Sequence, residues 1–172
     1  MSEHGTYATI DGVPAVRFER DLSRPIEAVW RAVTDPTELE HWFPCGVELE
    51  LRVGGPMRFT FTPDLVLDGE VLALEPPRRL AFRWGTDVLR FELAAKGAGT
   101  QLVLVQLLHD EGEPSAARTA AGWHLCLDAL ARRLAGAQPG PAPAGPSPQW
   151  HARYDEYVAA GMPAGAEIPA GG

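Results

Sequence analysis

The sequence predicts an α+β domain in which an antiparallel sheet of about seven strands is paired with one long C-terminal helix, two short helices lying between strands 1 and 2. Three observations carry this. Apolar and polar residues alternate through most of the stretch 47–108, the period of a half-buried strand. From 114 to 135 the apolar residues return at steps of three and four, the period of an amphipathic helix. Between residues 23 and 43, two proline-marked helix starts follow each other closely.

Residues 1–12 are polar and contain glycine, fitting a loose lead-in or a short edge strand. Val13–Arg20 reads as a strand, with Val16 and Phe18 on one face and Arg17 and Glu19 on the other. Ser23-Arg24-Pro25 opens the first helix, since proline in the first turn lacks no needed N–H, and Ile26, Val29, Trp30 and Val33 form its stripe. Asp35-Pro36-Thr37-Glu38 starts the second. Asp35 caps it, Pro36 takes the first helical position, Glu38 reaches back to the cap N–H, and Leu39, Trp42 and Phe43 supply the apolar side.

After Pro44 the period becomes two. Val47, Leu49, Leu51 and Val53 alternate with Glu48, Glu50 and Arg52; Gly54-Gly55-Pro56 turns the chain; Met57, Phe59 and Phe61 alternate with Arg58, Thr60 and Thr62. This is a hairpin with one dry and one wet face. Further strands span 67–74, 80–84, 88–95 and 101–108, separated by Glu75-Pro76-Pro77, Gly85-Thr86-Asp87 and Lys96-Gly97-Ala98-Gly99. Tight turns between strands predict an antiparallel meander rather than βαβ units. In the long helix Ala120, Trp123, Leu127, Leu130 and Leu134 share a face, with Arg118, Asp128, Arg132 and Arg133 away from it, and Gly136 ends it. The domain is therefore expected over 1–136, a Pro/Gly/Ala linker over 137–148 and a tail over 149–172. Within the tail, 149–160 forms a short amphipathic helix presenting Trp150, Tyr154 and Tyr157. Either it docks back on the domain or it docks on a second subunit, making a homodimer.

The chain has 172 residues, enough for one domain with a sizeable core. Its net charge of -8 repels phosphate backbones and anionic bilayers, which argues against nucleic acid as a partner. Cys45 and Cys126 lack any metal-finger or CxxC spacing and read as two lone thiols of a reducing compartment. No apolar run approaches the roughly 20 residues that span a bilayer, so no membrane insertion is expected. The start MSEHGTYATIDG has no basic and apolar leader pattern, and the expected location is the cytoplasm.

Four stretches carry a family resemblance: Arg24-Pro25-Ile26-Glu27-Ala28-Val29-Trp30 leading to Thr34-Asp35-Pro36; His41-Trp42-Phe43-Pro44; Val53-Gly54-Gly55-Pro56-Met57-Arg58-Phe59; and Gly69-Glu70-Val71 through Glu75-Pro76-Pro77 to Leu80-Ala81-Phe82-Arg83-Trp84. Gly99-Thr100-Gln101-Leu102 and Gly122-Trp123-His124-Leu125-Cys126-Leu127 add to it. In this order and spacing, over roughly residues 13–136, the chain resembles the START/Bet v 1-like (SRPBCC) superfamily, and within it the activator-of-Hsp90-ATPase homologue-like family. The resemblance implies the helix-grip fold, a curved sheet wrapped around the long C-terminal helix, with a hydrophobic cavity between them. The superfamily's lipid carriers, hormone receptors and polyketide cyclases share that cavity without sharing one activity.

Trp42, Phe59, Phe61, Phe82, Trp84, Phe91 and Trp123 are the aromatic residues expected to line the interior, and Leu127 shares the helix face of Trp123. Filling the core and surrounding a ligand are both open to them. His124, about 100° round the helix from Trp123, reads either as a polar group at the cavity mouth or as a structural histidine. His41 stands at the pocket entrance or at a solvated helix end. His109-Asp110-Glu111 reads as a solvated turn, because adjacent loop residues rarely converge on one ion. No HExxH, GxSxG, P-loop or dinucleotide-binding glycine pattern occurs, so no catalytic residue, metal ligand or cofactor is expected. The expected function is binding of a small hydrophobic molecule (lipid, aromatic or polyketide-like). A cyclase-, dehydratase- or hydrolase-like enzyme and a chaperone cofactor or protein-interaction module are the alternatives.

Overall fold

The computed structural model describes residues 4–138, 140 and 146–168. Part of the linker expected at 137–148, and the last residues of the tail, lie outside the described residues. The chain opens with a hairpin, β1 (Thr6–Ile10) and β2 (Val13–Leu22). Its turn, Asp11-Gly12, has φ of 53° and 79°, the double left-handed conformation that suits the twist of a two-residue hairpin. Helices α1 (Ile26–Thr34) and α2 (Pro36–Leu39) follow. The meander is β3 (Gly46–Leu49), β4 (Pro56–Thr62), β5 (Leu65–Glu75), β6 (Arg79–Trp84), β7 (Asp87–Lys96) and β8 (Gly99–Leu107). A 3-10 turn, Glu113–Ser115, leads into the long helix α3 (Ala116–Leu134), and α4 (Pro148–Ala159) comes last.

All eight strands form one antiparallel sheet in the order β1-β2-β8-β7-β6-β5-β4-β3. Only the β2-to-β3 link crosses the sheet, and α1 and α2 occupy it. The helix-grip architecture is as the sequence predicts, with eight strands where about seven are expected; the added one is β1, the edge-strand option for the lead-in.

Three local expectations differ. The alternation through Val53 does not continue the strand, since β3 stops at Leu49 and Leu51 and Val53 are exposed. Arg52 N–H donates to the Glu50 carbonyl and Gly55 N–H to the Arg52 carbonyl, coiling the chain tightly. A Cβ on Gly55 would lie 2.1 Å from the Glu50 oxygen, so only glycine permits the coil. Pro25 sits at the cap of α1 with extended ψ of 157°, and its carbonyl accepts from Ala28 and Val29. Finally, Asp35 caps α2 through the Thr37 N–H, but Glu38 does not close a capping box. It grips Arg133 of α3 at 2.9 and 3.2 Å instead. The Arg133 hydrogen bond holds the Glu38 carboxyl below its ordinary range.

The core lies between the concave sheet and α3. Ala120, Trp123, Leu127 and Leu130 of α3 are buried with Phe18, Leu80 and Leu104 from the sheet and Phe43 from the turn after α2. A buried aromatic or leucine side chain stabilises by about 1.5–3 kcal/mol, so these residues dominate the fold's energetics. A second side of α3 is covered by α4, through buried Trp150 and Tyr157. Burial therefore extends round α3 beyond the predicted stripe to Ala117, Ala121 and His124.

Candidate functional site

A cavity of about 550 Å³ opens at one end of the sheet, between the ends of β4 and β6, the first half of α3 and the residues leading into α4. Phe61 and Trp84 stack there with ring centres 6.1 Å apart and planes 8° from parallel. Trp84 meets Trp123 of α3 edge-on at 5.5 Å. Opposite them α3 presents small side chains, Thr119, Gly122 and Cys126, and the C-terminal segment contributes Pro146 and Trp150. Exposed Asp110 and Glu111 and half-buried Arg118 stand at the mouth, and Arg118 is ion-paired with Glu111.

The cavity's polar groups form a short chain. Trp123 Nε1–H donates to Gln106 Oε1 at 2.6 Å, Gln106 Nε2–H to Asp87 Oδ2 at 2.7 Å, and Asp87 Oδ1 accepts the Asp110 N–H at 2.9 Å. Trp84 breaks the pattern. Its Nε1–H is buried and has no acceptor among the described residues. A buried donor left unpaired costs roughly 1–3 kcal/mol. By contrast, Trp42 Nε1–H donates to the Ala32 carbonyl at 2.9 Å and is wholly buried.

Phe61, Trp84 and Trp123 are thus the expected residues that border the cavity. Trp42, Phe59, Phe82, Phe91 and Leu127 are packed in the core and do not reach it. Phe59 stacks on Phe82 at 5.6 Å and on Phe43 at 6.3 Å. The void bordered by Phe43, Phe59, Phe82 and Phe91 measures about 10 Å³, room for a single water at most.

His124 faces away from the cavity, toward α4. Its Nδ1 lies 2.8 Å from the Tyr157 hydroxyl, which also accepts the Gly5 N–H at 2.8 Å, and its Nε2 lies 3.7 Å from Asp128 Oδ2. Burial pushes its pKa down to about 4; Asp128 pulls it back up, while Arg153, Arg20 and His4 push it further down. With the ring neutral, the Tyr157 O–H donates to Nδ1 and Nε2–H faces Asp128. Burial likewise drives the Tyr157 phenol up to about 12. Asp128, expected on the outer side of the helix, is paired with the buried Arg20 guanidinium at 3.0 Å. This is a structural assembly joining β2, α3, α4 and the N-terminal segment.

Burial raises both thiols, Cys45 to about 12, so they are poor nucleophiles at neutral pH. Both are free. His41 does not border the cavity, and His109-Asp110-Glu111 is an exposed turn whose last two residues edge the mouth. Among the described residues no group of three or more His, Cys, Asp and Glu could hold a metal ion. Nor, among them, is any helix long and apolar enough to cross a membrane.

Sequence reasoning missed Gln106, Gly122 and Trp150. Gln106 had a legible signal, as the lone polar residue in Leu102-Val103-Leu104-Val105-Gln106-Leu107-Leu108. Gly122 in mid-helix was another, because glycine there costs about 1 kcal/mol of helix propensity relative to alanine. For Trp150 the sequence offered a helix that docks back on the domain as one option, but nothing local links it to residues 84 and 123.

The sequence profile described as "Activator of Hsp90 ATPase homolog 1-like protein" matches residues 23–135. Among solved structures, the chain is similar to CalU16 from Micromonospora echinospora in solution, at 26% identity and a TM-score of 0.73, covering 92% of this chain and 91% of that one. A conserved protein of unknown function from Enterococcus faecalis, EF2215, is similar at 25% identity and a TM-score of 0.72, with 91% of each chain covered. DynU16, described as a protein in the dynemicin biosynthetic locus, is similar at 29% identity and a TM-score of 0.65 over 73% of this chain and 48% of that one. No curated protein matches the chain.

Proposed function

The chain belongs to the activator of Hsp90 ATPase homolog 1-like protein family, and from that premise we propose that it binds one small, flat, apolar molecule in the cavity beside Phe61, Trp84 and Trp123. The observation that carries this reading is an aromatic wall, Phe61, Trp84 and Trp123, facing the short side chains of Thr119, Gly122 and Cys126 across about 550 Å³. Stacked Phe61 and Trp84 offer a flat apolar surface, on which burial of a ring yields roughly 25 cal/mol per Å². The volume, about 550 Å³, falls within the ordinary range for small-molecule sites. The likeness to DynU16, a protein of a biosynthetic locus, supports a small-molecule role. The enzyme reading loses its best candidate, because His124 lies on the far side of α3.

The test uses a matched pair of probes: flavone, a planar molecule with a carbonyl, and 2-phenylnaphthalene, a hydrocarbon of similar shape. Saturable quenching of tryptophan fluorescence is expected for both, since the burial of a flat apolar ring drives the binding. In Trp84→Ala, which removes the flat wall, both should bind at least tenfold more weakly. Absence of saturable binding by either probe would sink the reading.

A further inference from the structure

Along β8 the residues that face the interior are Leu102, Leu104 and Gln106, and Leu108 continues the row just past the strand. Gln106 alone among them is polar. It is 6% exposed and borders the cavity, so an amide stands where an apolar side chain would need no partner. Its orientation is fixed. An indole N–H only donates and a carboxylate only accepts, so Oε1 must face Trp123, at 2.6 Å, and Nε2 must face Asp87, at 2.7 Å. Turning the amide over would set donor against donor and oxygen against oxygen. Asp87 is itself held by the Asp110 N–H at 2.9 Å. The amide is thus held in place before any ligand arrives, which lowers the cost of binding to it.

These bonds use half of what the amide offers. A glutamine side chain carries two N–H donors and two acceptor lone pairs. Trp123 takes one lone pair and Asp87 one N–H, and among the described residues no other group bonds to that side chain. One donor and one acceptor remain, beside the ring wall of Trp84 and Trp123. A hydroxyl is donor and acceptor at once and can meet either, whereas a carbonyl meets only the N–H. The Asp87 carboxylate, 2.7 Å from the amide nitrogen, repels an anion brought to the same place. We infer that Gln106 is the specificity-determining residue of the cavity, selecting flat aromatic molecules with a neutral hydroxyl over bare hydrocarbons and over aromatic carboxylates. This rests on the cavity being the binding site.

Naphthalene, 2-naphthol and 2-naphthoate share one ring system and are small enough to turn the substituent toward Gln106 within about 550 Å³. Equilibrium dialysis against the full chain at neutral pH compares them. 2-Naphthol should bind about fivefold more tightly than naphthalene, and 2-naphthoate about fivefold more weakly than 2-naphthol. Trp123→Phe should weaken naphthalene and 2-naphthol alike and keep their ratio. Adding Gln106→Met, which removes the amide without orphaning an indole N–H, should bring the two to parity. In the wild-type protein a nuclear Overhauser contact should join the Gln106 side-chain amide protons to the ring protons flanking the bound hydroxyl. Its absence overturns the role of Gln106 even if the double variant does not fold. A wild-type protein that holds 2-naphthol no more tightly than naphthalene, or 2-naphthoate as tightly as 2-naphthol, overturns it too. So does a hydroxyl preference that survives the loss of Gln106. Failure of all three probes to bind the wild-type protein instead overturns the cavity reading, and the role of Gln106 with it.

Discussion

Two aromatic clusters sit side by side under the same sheet, and only one of them is filled. Around Phe59 the rings of Phe43, Phe82 and Phe91 pack until about 10 Å³ is left. Around Trp84 an equally aromatic set, Phe61 and Trp123, borders about 550 Å³. The difference lies in what faces the rings. Phe43 packs against both sets, but at the packed end Val33, Leu39, Met57 and Leu80 also close in on the rings. At the hollow end α3 offers Thr119, Gly122 and Cys126, side chains too short to cross the gap. Aromatic content alone therefore does not mark a site; a wall of rings opposite a wall of small residues does.

The largest effect that would break this contrast concerns its packed half. Phe59→Ala should cost about 3–5 kcal/mol, whereas Phe61→Ala, on half-buried Phe61, should cost about 1 kcal/mol. Urea unfolding of the two variants measures both, and equal costs would mean that the two ends are packed alike.

The next effect tests the side of α3 that faces α4. The His124 pKa is lowered to about 4 by burial, so the unfolded chain binds a proton there before the folded one does. Its contribution to stability is complete above about pH 6.5 and is lost as pH falls from there through about 4, a change on the order of 3 kcal/mol. Urea midpoints from pH 7.5 to 4, compared between the wild-type protein and His124→Asn, isolate that component. Parallel curves would show that His124 is protonated as readily in the folded state as in the unfolded one.

The smallest stability effect should accompany a large binding effect. Gly122→Leu places a side chain in the hollow while improving helix propensity by about 1 kcal/mol. Stability should fall by no more than about 2 kcal/mol, crowding against Trp150 being partly offset by the propensity gain, while flavone affinity falls at least tenfold. Thermal unfolding and fluorescence titration read the two, and unchanged affinity would place the ligand elsewhere.

Much of the fold was legible because it is written in short-range periods. The strands from Met57 to Leu107, the stripe from Ala120 to Leu130 and the Asp35 cap are each visible within a few residues. What failed to read locally was decided by remote partners. Glu38 had the spacing of a capping box, but a bidentate arginine 95 residues away competes better for a carboxylate than one backbone N–H. The alternation at Leu51 and Val53 had the strand pattern but no partner strand to pair with. The candidate site was legible only in part. The long helix was expected to bury one stripe; Tyr157, 33 residues on, buries His124 on a second side.

The amino-acid order by itself determined which segments are strands and helices, which face of each is apolar, and that a meander must close on a long helix. These follow from the periods of two and 3.6, which depend on neighbours along the chain. Where the interior is solid and where it is hollow, and that Trp150 borders the cavity, were decided only by the tertiary structure. Each depends on the distance between elements tens of residues apart, where one glycine facing three aromatic rings outweighs any local preference.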